Sequence, residues 1–564
     1  MKYTQFKTIP IENRTWVDKR IDKAPIWCSV DLRDGNQSLI KPMSLDKKVK
    51  FFKLLVEMGF KEIEIGFPSA SEVEFEFTRY LIENNLIPDD VTIQILTQAR
   101  EHLIVRSAEA LRGAKNVIVH MYNPTSTMQR EVVYHKSQEE IIALALRGIG
   151  WIKEQFDDFE GSVRLEYSPE SFTQTELAFS AEICNAVVEE WYKENSKKGN
   201  SKKGNSKQRN SKKEKVILNL PSTVEASTPN IYADQIEWMC RNITQREQVE
   251  ISVHAHNDRG CAVASTELAL MAGADRVEGT LLGNGERTGN VDIVTVGLNM
   301  YTQGVDPKLD FSEVDKIVKI VEDSNEIKTH VRHPYVGELV YTAFSGSHQD
   351  AIKKGMAQQK KDALWYVPYL PIDPKDVGRD YDAIIRINSQ SGKGGMAYIL
   401  NTLYGYAIPK RMEPHVGKII QAQSDKIEGV MSERMIREEF EKVFLNRQEH
   451  ISIANIKIDI QGHEVHVEGD FTIEGKTHHH AITSSGIISA ISKIFKEHNI
   501  EFEVVEYSEH SKSLGEDAKA LAYFGVQMEG KVYYGVGEDI NISYASMSAL
   551  VSALNVGVNA STSL

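Results

Sequence analysis

Short runs rich in Val, Ile and Leu recur along the first 300 residues, separated by longer stretches in which apolar positions follow helical spacing. The runs are IWCSVDL (26–32), IEIGF (63–67), TIQIL (92–96), NVIVHMY (116–122), SVRLEYS (162–168), VILNLPS (216–222), EISVHAH (250–256) and RVEGTLLG (276–283). Between the first two, Leu45, Val49, Phe52 and Val56 share one helical face, with Ser44 placed to cap the start and Gly59 to stop the end. Eight strands alternating with helices predict an α/β fold, a parallel sheet closed into a (β/α)8 TIM barrel. An open doubly wound sheet is the alternative, but eight units suit closure and no G-x-G-x-x-G follows the first strand.

Past the barrel the pattern changes. Residues 331–447 carry mixed helical spacing without another set of strands and read as linker subdomains. Residues 448–564 read as an α+β domain with a weak internal duplication. IEGKTHHHAITSSGIISAI (473–491) parallels MEGKVYYGVGEDINISYASMSAL (528–550), each a strand, a turn and a helix. The expected plan is therefore a barrel over 1–330 with an N-terminal extension, the linker, and this last domain. Residues 195–215 repeat NSKKG and read as a low-complexity insertion in the αβ loop before the sixth strand, a tolerated expansion on the face opposite the strand C-terminal ends. His478, His479 and His480 alternate faces on a strand, which suits an exposed run better than a metal site.

Composition narrows the class. The chain has 564 residues, 41% of them hydrophobic and 26% charged, enough for several cores. A net charge of −14 argues against nucleic acid and against an anionic membrane surface as partner. No apolar run approaches the roughly 18 residues of a spanning helix, and MKYTQFKTIP has neither a signal-peptide core nor a transit pattern. Four cysteines lack C-x-x-C spacing and read as reduced thiols. A soluble cytoplasmic enzyme is the expectation.

The polar chemistry gathers where a barrel places it, at the C-terminal ends of strands. Arg33 and Asp34 follow strand one, Ser168 and Glu170 end strand five, and Thr223 follows strand six. His254 and His256 lie on strand seven, and Glu286 and Asn290 follow strand eight. Residues i and i+2 of a strand face one side, so both imidazoles of H-x-H point into the barrel mouth. A carboxylate from strand one completes a His2Asp set that leaves positions on a divalent ion open to substrate oxygens. A guanidinium beside such an ion, Arg33, suits a carboxylate or a developing oxyanion better than a structural ion pair.

DLRDGNQ, GFPSAS, LTQAR, SPE, LPSTVE, HAHND and GNGERTGN occur in that order, and APIWCSVDLRDGNQSLIKPM closely resembles the long form of the 2-isopropylmalate synthase family. The resemblance continues through VGELVYTAFSGSHQDAIKKG and VPYLPIDPKDVGR and, more weakly, to the C-terminus. It implies a Claisen-type condensation of acetyl-CoA with 2-oxoisovalerate, a divalent metal (Mg, Mn or Zn), leucine as effector of the C-terminal regulatory domain, and a homodimer. It implies that Asp34, His254 and His256 ligate the metal, with Asn290 a further ligand or its support. Arg33, Glu170 and Thr223 match residues that hold the 2-oxo acid, while Leu96, His120, Tyr122, Ser168 and Asn219 match the pocket for its branched tail. His348 and Tyr381 match residues that reach over the active site from a dimer partner, and His348 is the candidate general base, with Glu170 or Tyr381 assisting. SQSGKGG (389–395) lacks the phosphate-loop spacing and reads as a tight turn, a CoA contact left open. ITSSGI (482–487) stands where the family has a glycine-rich turn, which leaves weakened leucine inhibition or another effector open. Homocitrate and citramalate synthases share the barrel and metal but need other tail pockets. A hydroxymethylglutaryl-CoA-lyase-type enzyme and a non-catalytic amino-acid sensor are the readings from other classes.

Overall fold

The apolar runs become strands: β1 (Ile26–Ser29), β2 (Glu62–Gly66), β3 (Thr92–Gln98), β4 (Asn116–Pro124), β5 (Ser162–Glu170), β6 (Val216–Ser222), β7 (Val249–Ala255) and β8 (Arg276–Gly279). In the computed structural model, which describes residues 2, 5–193, 214–343, 345–361, 363–379, 393–427, 431–512 and 518–562, they close in sequence order into a parallel barrel. β8 pairs back onto β1 through Trp27↔Val277 and Cys28↔Glu278. The intervening helices are α1 (Leu45–Met58), α2 (Glu72–Glu83), α3 (Glu101–Leu111), α4 (Gln138–Gln155), α5 (Leu177–Tyr192), α6 (Pro229–Asn242), α7 (Ala262–Met271) and α8 (Ile293–Thr302), and α9 (Val314–Asn325) packs on α1. α1 begins and ends on the expected residues. Ser44 Oγ accepts from Lys47 N, and Gly59 at φ 101° closes the last turn.

Two strands are shorter than the apolar pattern suggests. β1 stops at Ser29, and Asp31–Gly35 winds into a π-helical turn in which the amides of Arg33, Asp34 and Gly35 all donate to the Val30 carbonyl. β8 stops at Gly279 and passes into a 3-10 turn, Leu281–Gly283, with Leu282 at φ 60°. The wide turn directs Asp34 across the strand ends. The flanks of the basic repeat, the end of α5 and the start of β6, lie at the strand N-terminal side, while residues 194–213 fall outside the described residues.

The barrel interior is ionic. Arg276, wholly buried, sends Nη2 to Gln94 Oε1 (2.7 Å), Nη1 to Ser252 Oγ (2.8 Å) and Glu278 Oε1 (3.0 Å), and Nε to Glu62 Oε2. Glu62 also accepts from Arg164 Nη1 (2.7 Å). A buried guanidinium is tolerated only when its donors are filled and its charge is compensated.

The chain divides into two compact units, Met1–Val340 with Pro374–Arg379, and Tyr341–Asp373 with Asp380–Leu564. The second unit begins with four described helices, α10 (Gly346–Gln358), α11 (Lys393–Tyr404), α12 (Glu413–Ser424) and α13 (Glu433–Phe444). Two copies of a strand–strand–strand–helix motif follow. β9 (Ile451–Gln461), β10 (Glu464–Ile473) and β11 (Lys476–Ser484) form one antiparallel sheet and lead into α14 (Ile487–Glu497). β12 (Glu503–Ser511), β13 (Ala520–Met528) and β14 (Lys531–Asp539) form the other and lead into α15 (Ile542–Thr562). The duplication read in the sequence is the last strand and helix of each copy. Phe471, Ile491, Phe495, Phe524, Leu550 and Leu554 share one core between them. Asn555 fixes α15 to the chain entering β9: its Oδ1 accepts from His450 N (2.8 Å) and Ile451 N (3.0 Å), and its Nδ2 donates to the carbonyls of Arg447, Ile451 and Val551.

Replacing Arg276 by Met strips the cation from Glu62 and Glu278, and is expected to lower the unfolding free energy of the barrel by about 3–5 kcal/mol. Denaturant unfolding followed by circular dichroism measures it, and an unchanged midpoint would contradict the role given to this ion cluster.

Candidate active site

Three elements bring the metal-type side chains together. β7 carries His254, and one residue past its end His256 bridges to Asn290 on the loop after β8. The π-helical turn after β1 delivers Asp34 to the same point. Asp34 Oδ2 lies 3.5 Å from His254 Nε2 and 3.8 Å from His256 Nε2. All three residues are buried. The turn is anchored by Asp31, whose carboxylate accepts from Leu281 N (3.0 Å) and Ser29 Oγ (2.8 Å). Burial pushes the Asp31 carboxyl up to about 7, against those two hydrogen bonds.

The loop after β8 is folded tightly. Gly289, at φ 96°, has its α-carbon so close to the Gly283 carbonyl that a side chain would meet that oxygen at 1.9 Å, so only glycine fits. Asn290 Nδ2 donates to Asn284 O (3.0 Å), which turns its Oδ1 away. Asp34 Oδ2 and Asn290 Oδ1 are both buried without a hydrogen-bond partner. Two orphaned oxygens beside two imidazoles fit a divalent cation that accepts mixed N/O ligands.

The electrostatics agree with that fit. Burial lowers the affinity of His254 for a proton, but the adjacent Asp34 and Glu278 carboxylates outweigh it and raise its pKa to about 9. Burial and the charge of His254 lower His256 to about 4. Burial alone would raise Asp34, yet Arg33 and His254 keep it well below the ordinary carboxylate range. A cation bound here would have to displace the His254 proton. Behind it, His254 Nδ1 donates to Glu278 Oε2 (2.9 Å), and Glu278 is bound to Arg276.

A cavity of about 240 Å³ opens beside the triad, lined by Arg33, Leu96, His120, Tyr122, Ser168, Glu170, Asn219 and Thr223, with Gln37, Pro221, Glu286 and Arg287 at its margin. The structure therefore brings together every barrel residue singled out from the sequence. Arg33 is fixed by Nη1 on Asp34 Oδ1 (2.8 Å) and by Nε on Glu64 Oε2. His120 Nδ1 donates to Glu64 Oε1 (2.8 Å), and its Nε2 shares a hydrogen bond with Ser168 Oγ (2.7 Å), which also accepts from Asn219 Nδ2 (3.0 Å). Tyr122 OH accepts from Gln98 Nε2 (2.9 Å), and Thr223 Oγ1 accepts from Ser171 N (2.9 Å). Burial raises the Glu170 carboxyl. His348 sits exposed on α10 in the second unit, its ring stacked on Tyr369 with centroids 4.0 Å apart. Tyr381 and the first four residues of SQSGKGG, 389–392, lie outside the described residues.

Glu64, Gln94, Glu166, Arg276 and Glu278 were not singled out from the sequence. They carried a signal: EIEIG, TIQIL, VRLEYS and RVEG alternate polar with apolar residues on strands whose two faces are both buried. His120, Glu166 and Glu278 also place ligand-type atoms within 4.8 Å of one another. His120 and Glu278 are already engaged with Glu64, Ser168, His254 and Arg276, so this group is the ion network itself. Burial and the nearby Glu278 charge raise the Glu166 carboxyl above the ordinary carboxylate range, against the pull of Arg276.

Similarity to known proteins covers the whole chain. Residues 24–321 match the HMGL-like family, 338–401 the alpha-isopropylmalate synthase post-catalytic domain-like family, and 422–558 the LeuA allosteric (dimerisation) domain. The 2-isopropylmalate synthase of Acetoanaerobium sticklandii is 51% identical across 98% of this chain and 96% of that protein. That of Clostridium acetobutylicum is 50% identical across 98% of both, and that of Pseudomonas savastanoi pv. phaseolicola 50% across 98% and 96%. With this identity sustained end to end, and with the clustered His2Asp set and its cavity in the barrel, the chain belongs to the 2-isopropylmalate synthase family.

Proposed function

We propose that this protein condenses acetyl-CoA with 2-oxoisovalerate and hydrolyses the thioester, yielding 2-isopropylmalate and CoA, the committed step of leucine synthesis. What carries the reading is the placement of Arg33 and the Asp34–His254–His256 set at one end of a cavity whose other lining includes the uncharged Leu96, Ser168 and Asn219. A divalent cation held by those three side chains, with Asn290 beside them, supplies Lewis acidity to the 2-oxo acid's carbonyl.

The remaining work falls to the chain's own groups. Glu170 and Thr223 hold the substrate, and Leu96, His120, Tyr122, Ser168 and Asn219 surround its isopropyl group. The methyl of acetyl-CoA yields a proton to a ring nitrogen of His348 contributed by the second protomer of the homodimer, with that protomer's Tyr381 or with Glu170 assisting. The resulting carbanion bonds to C2 of the 2-oxo acid, and the carbonyl electron pair moves to oxygen. Arg33, pinned by Asp34 and Glu64, stabilises that charge without having to reorganise. Water then adds to the thioester carbonyl, the C–S bond breaks, and CoA leaves as the thiol.

The C-terminal domain is proposed as the leucine-sensing and dimerising part of a homodimer. Its first loop carries side chains where the family has glycine: Ser484 is buried and donates to Ser489 Oγ (2.8 Å). That crowding supports weaker leucine inhibition. The cytoplasm suits all four cysteines being free thiols, and no helix among the described residues is long and apolar enough to cross a membrane.

Release of CoA from acetyl-CoA, measured over a panel of 2-oxo acids with and without EDTA, tests the reading. Turnover that EDTA abolishes and that favours 2-oxoisovalerate is expected, and a leucine titration in the same assay reads the effector. Preference for pyruvate or 2-oxoglutarate would move the assignment to a citramalate or homocitrate synthase, and silence on every acid would refute synthase chemistry. Glu278→Gln, which loosens the carboxylate behind His254, is expected to weaken metal affinity about 10–100-fold. Calorimetric titration of Mn(II) checks this, and wild-type affinity in that variant would remove Glu278 from the account.

A further inference from the structure

β11 is an edge strand of its three-stranded sheet, and its histidine run alternates between an exposed and a half-buried face. His479 does face solvent, donating from Nδ1 to Asp470 Oδ1 (2.8 Å). His478 and His480 point to the opposite, half-buried face, where α14 ends and delivers His498. His480 Nε2 lies 2.8 Å from His498 Nε2. The His478 ring is 4.5 Å from that of His498, centroid to centroid, and Glu497 Oε2 is 3.8 Å from His480 Nδ1.

Two imidazoles, one from a strand and one from the helix that returns over it, thus meet at one spot, and the ring of His478 lies alongside. Neighbouring ligands on one transition ion hold their donor atoms about 3 Å apart, given metal–nitrogen distances near 2.0–2.1 Å. The His480–His498 pair already has that spacing. A rotated His478, whose ring lies 4.5 Å from that of His498, would supply a third nitrogen, and Glu497 or water would complete four-coordination.

The second copy of the motif shows what the histidines displace. In the paired segments, His478 and His480 correspond to Tyr533 and Gly535. A side chain at Gly535 would strike α15, at 2.2 Å from Ala553 N and 2.4 Å from Ala549 O. There the helix lies directly on the strand. In the first copy the same position carries an imidazole, and its neighbour across the gap is another imidazole rather than helix backbone. Close helix-on-strand packing in one copy is replaced by a group of imidazoles in the other.

We propose that His478, His480 and His498 form a second metal site, separate from the barrel site, that binds an imidazole-preferring transition ion such as Ni(II), Cu(II) or Zn(II). Such an ion ties β11 to the end of α14 and closes the ITSSGI turn between them. It is distinct from the His2Asp set in chemistry, since it offers nitrogen where the barrel offers oxygen as well.

Titration of Ni(II) into the metal-free full-length protein, with bound metal counted after gel filtration, tests this. The wild type is expected to retain two equivalents per chain. His480→Gln, His498→Gln and their double variant are expected to retain one, with CoA release intact. Asp34→Asn/His256→Gln is expected to retain one, lost when His480→Gln is added. Two equivalents persisting in the His480→Gln/His498→Gln variant, or one in the wild type that disappears with the barrel substitutions, would overturn the site and leave the histidine pair as a neutral hydrogen bond only.

Discussion

Arg276 lies at the centre of the barrel with no exposed surface, and its charge organises what surrounds it. Burying a guanidinium is tolerable only with anions in contact and donors filled. Glu62 and Glu278 supply charge, Gln94 and Ser252 supply acceptors, and burial together with the Glu278 charge raises the Glu166 carboxyl. The same carboxylate of Glu278 then holds His254 by Nδ1 and turns Nε2 toward Asp34. Asp34 fixes Arg33, Arg33 fixes Glu64, and Glu64 accepts from His120 and Gln94, which returns to Arg276. Each ionic group is oriented by the next, so the side chains proposed to hold the metal, and the guanidinium proposed to meet the oxyanion, are set before any substrate enters. That preorganisation is the physical source of electrostatic catalysis.

Precise side chains at strand ends need loops that are held in unusual shapes. Ser171, Leu282 and Arg287 all have φ between 57° and 61°, and they follow β5 and β8, where the cavity opens. Left-handed backbone at non-glycine residues costs about 1–3 kcal/mol each and persists only where surrounding contacts enforce it. Here they do: Ser171 N donates to Thr223 Oγ1, Leu282 N to Asp292 Oδ1, and Arg287 is held by Asp258 and the Thr223 carbonyl. Stability drawn from the closed barrel is what keeps these loops in place.

Much of this was legible in the chain alone. Eight apolar runs, the Ser44 and Gly59 helix signals and the H-x-H pair rest on short-range periodicities of 2.0 and 3.6, which one sequence displays directly. Strand-end boundaries were less legible, because Leu32 and Leu281 are apolar and buried without being strand. Hydrophobicity reports burial and does not distinguish a strand from a tight turn beneath it. The ion network was missed for a related reason. Glu64, Glu166, Arg276 and Glu278 look like solvent-facing positions of half-buried strands, and only barrel closure, which buries both faces, turns them inward. The histidine run shows the same limit: alternation argued for an exposed run, which describes His479, but the approach of His478 and His480 to His498 depends on how α14 folds back.

The central claim is that Asp34, His254 and His256 form the metal site that the ionic interior orients. X-ray absorption at the K-edge of Mn(II), loaded at one equivalent per chain, tests it most directly. The account predicts a first shell of nitrogen and oxygen with the outer scattering of two imidazoles, both lost in a variant lacking His254 and His256. A shell of oxygens alone in the wild type, or an unchanged spectrum in that variant, would contradict it.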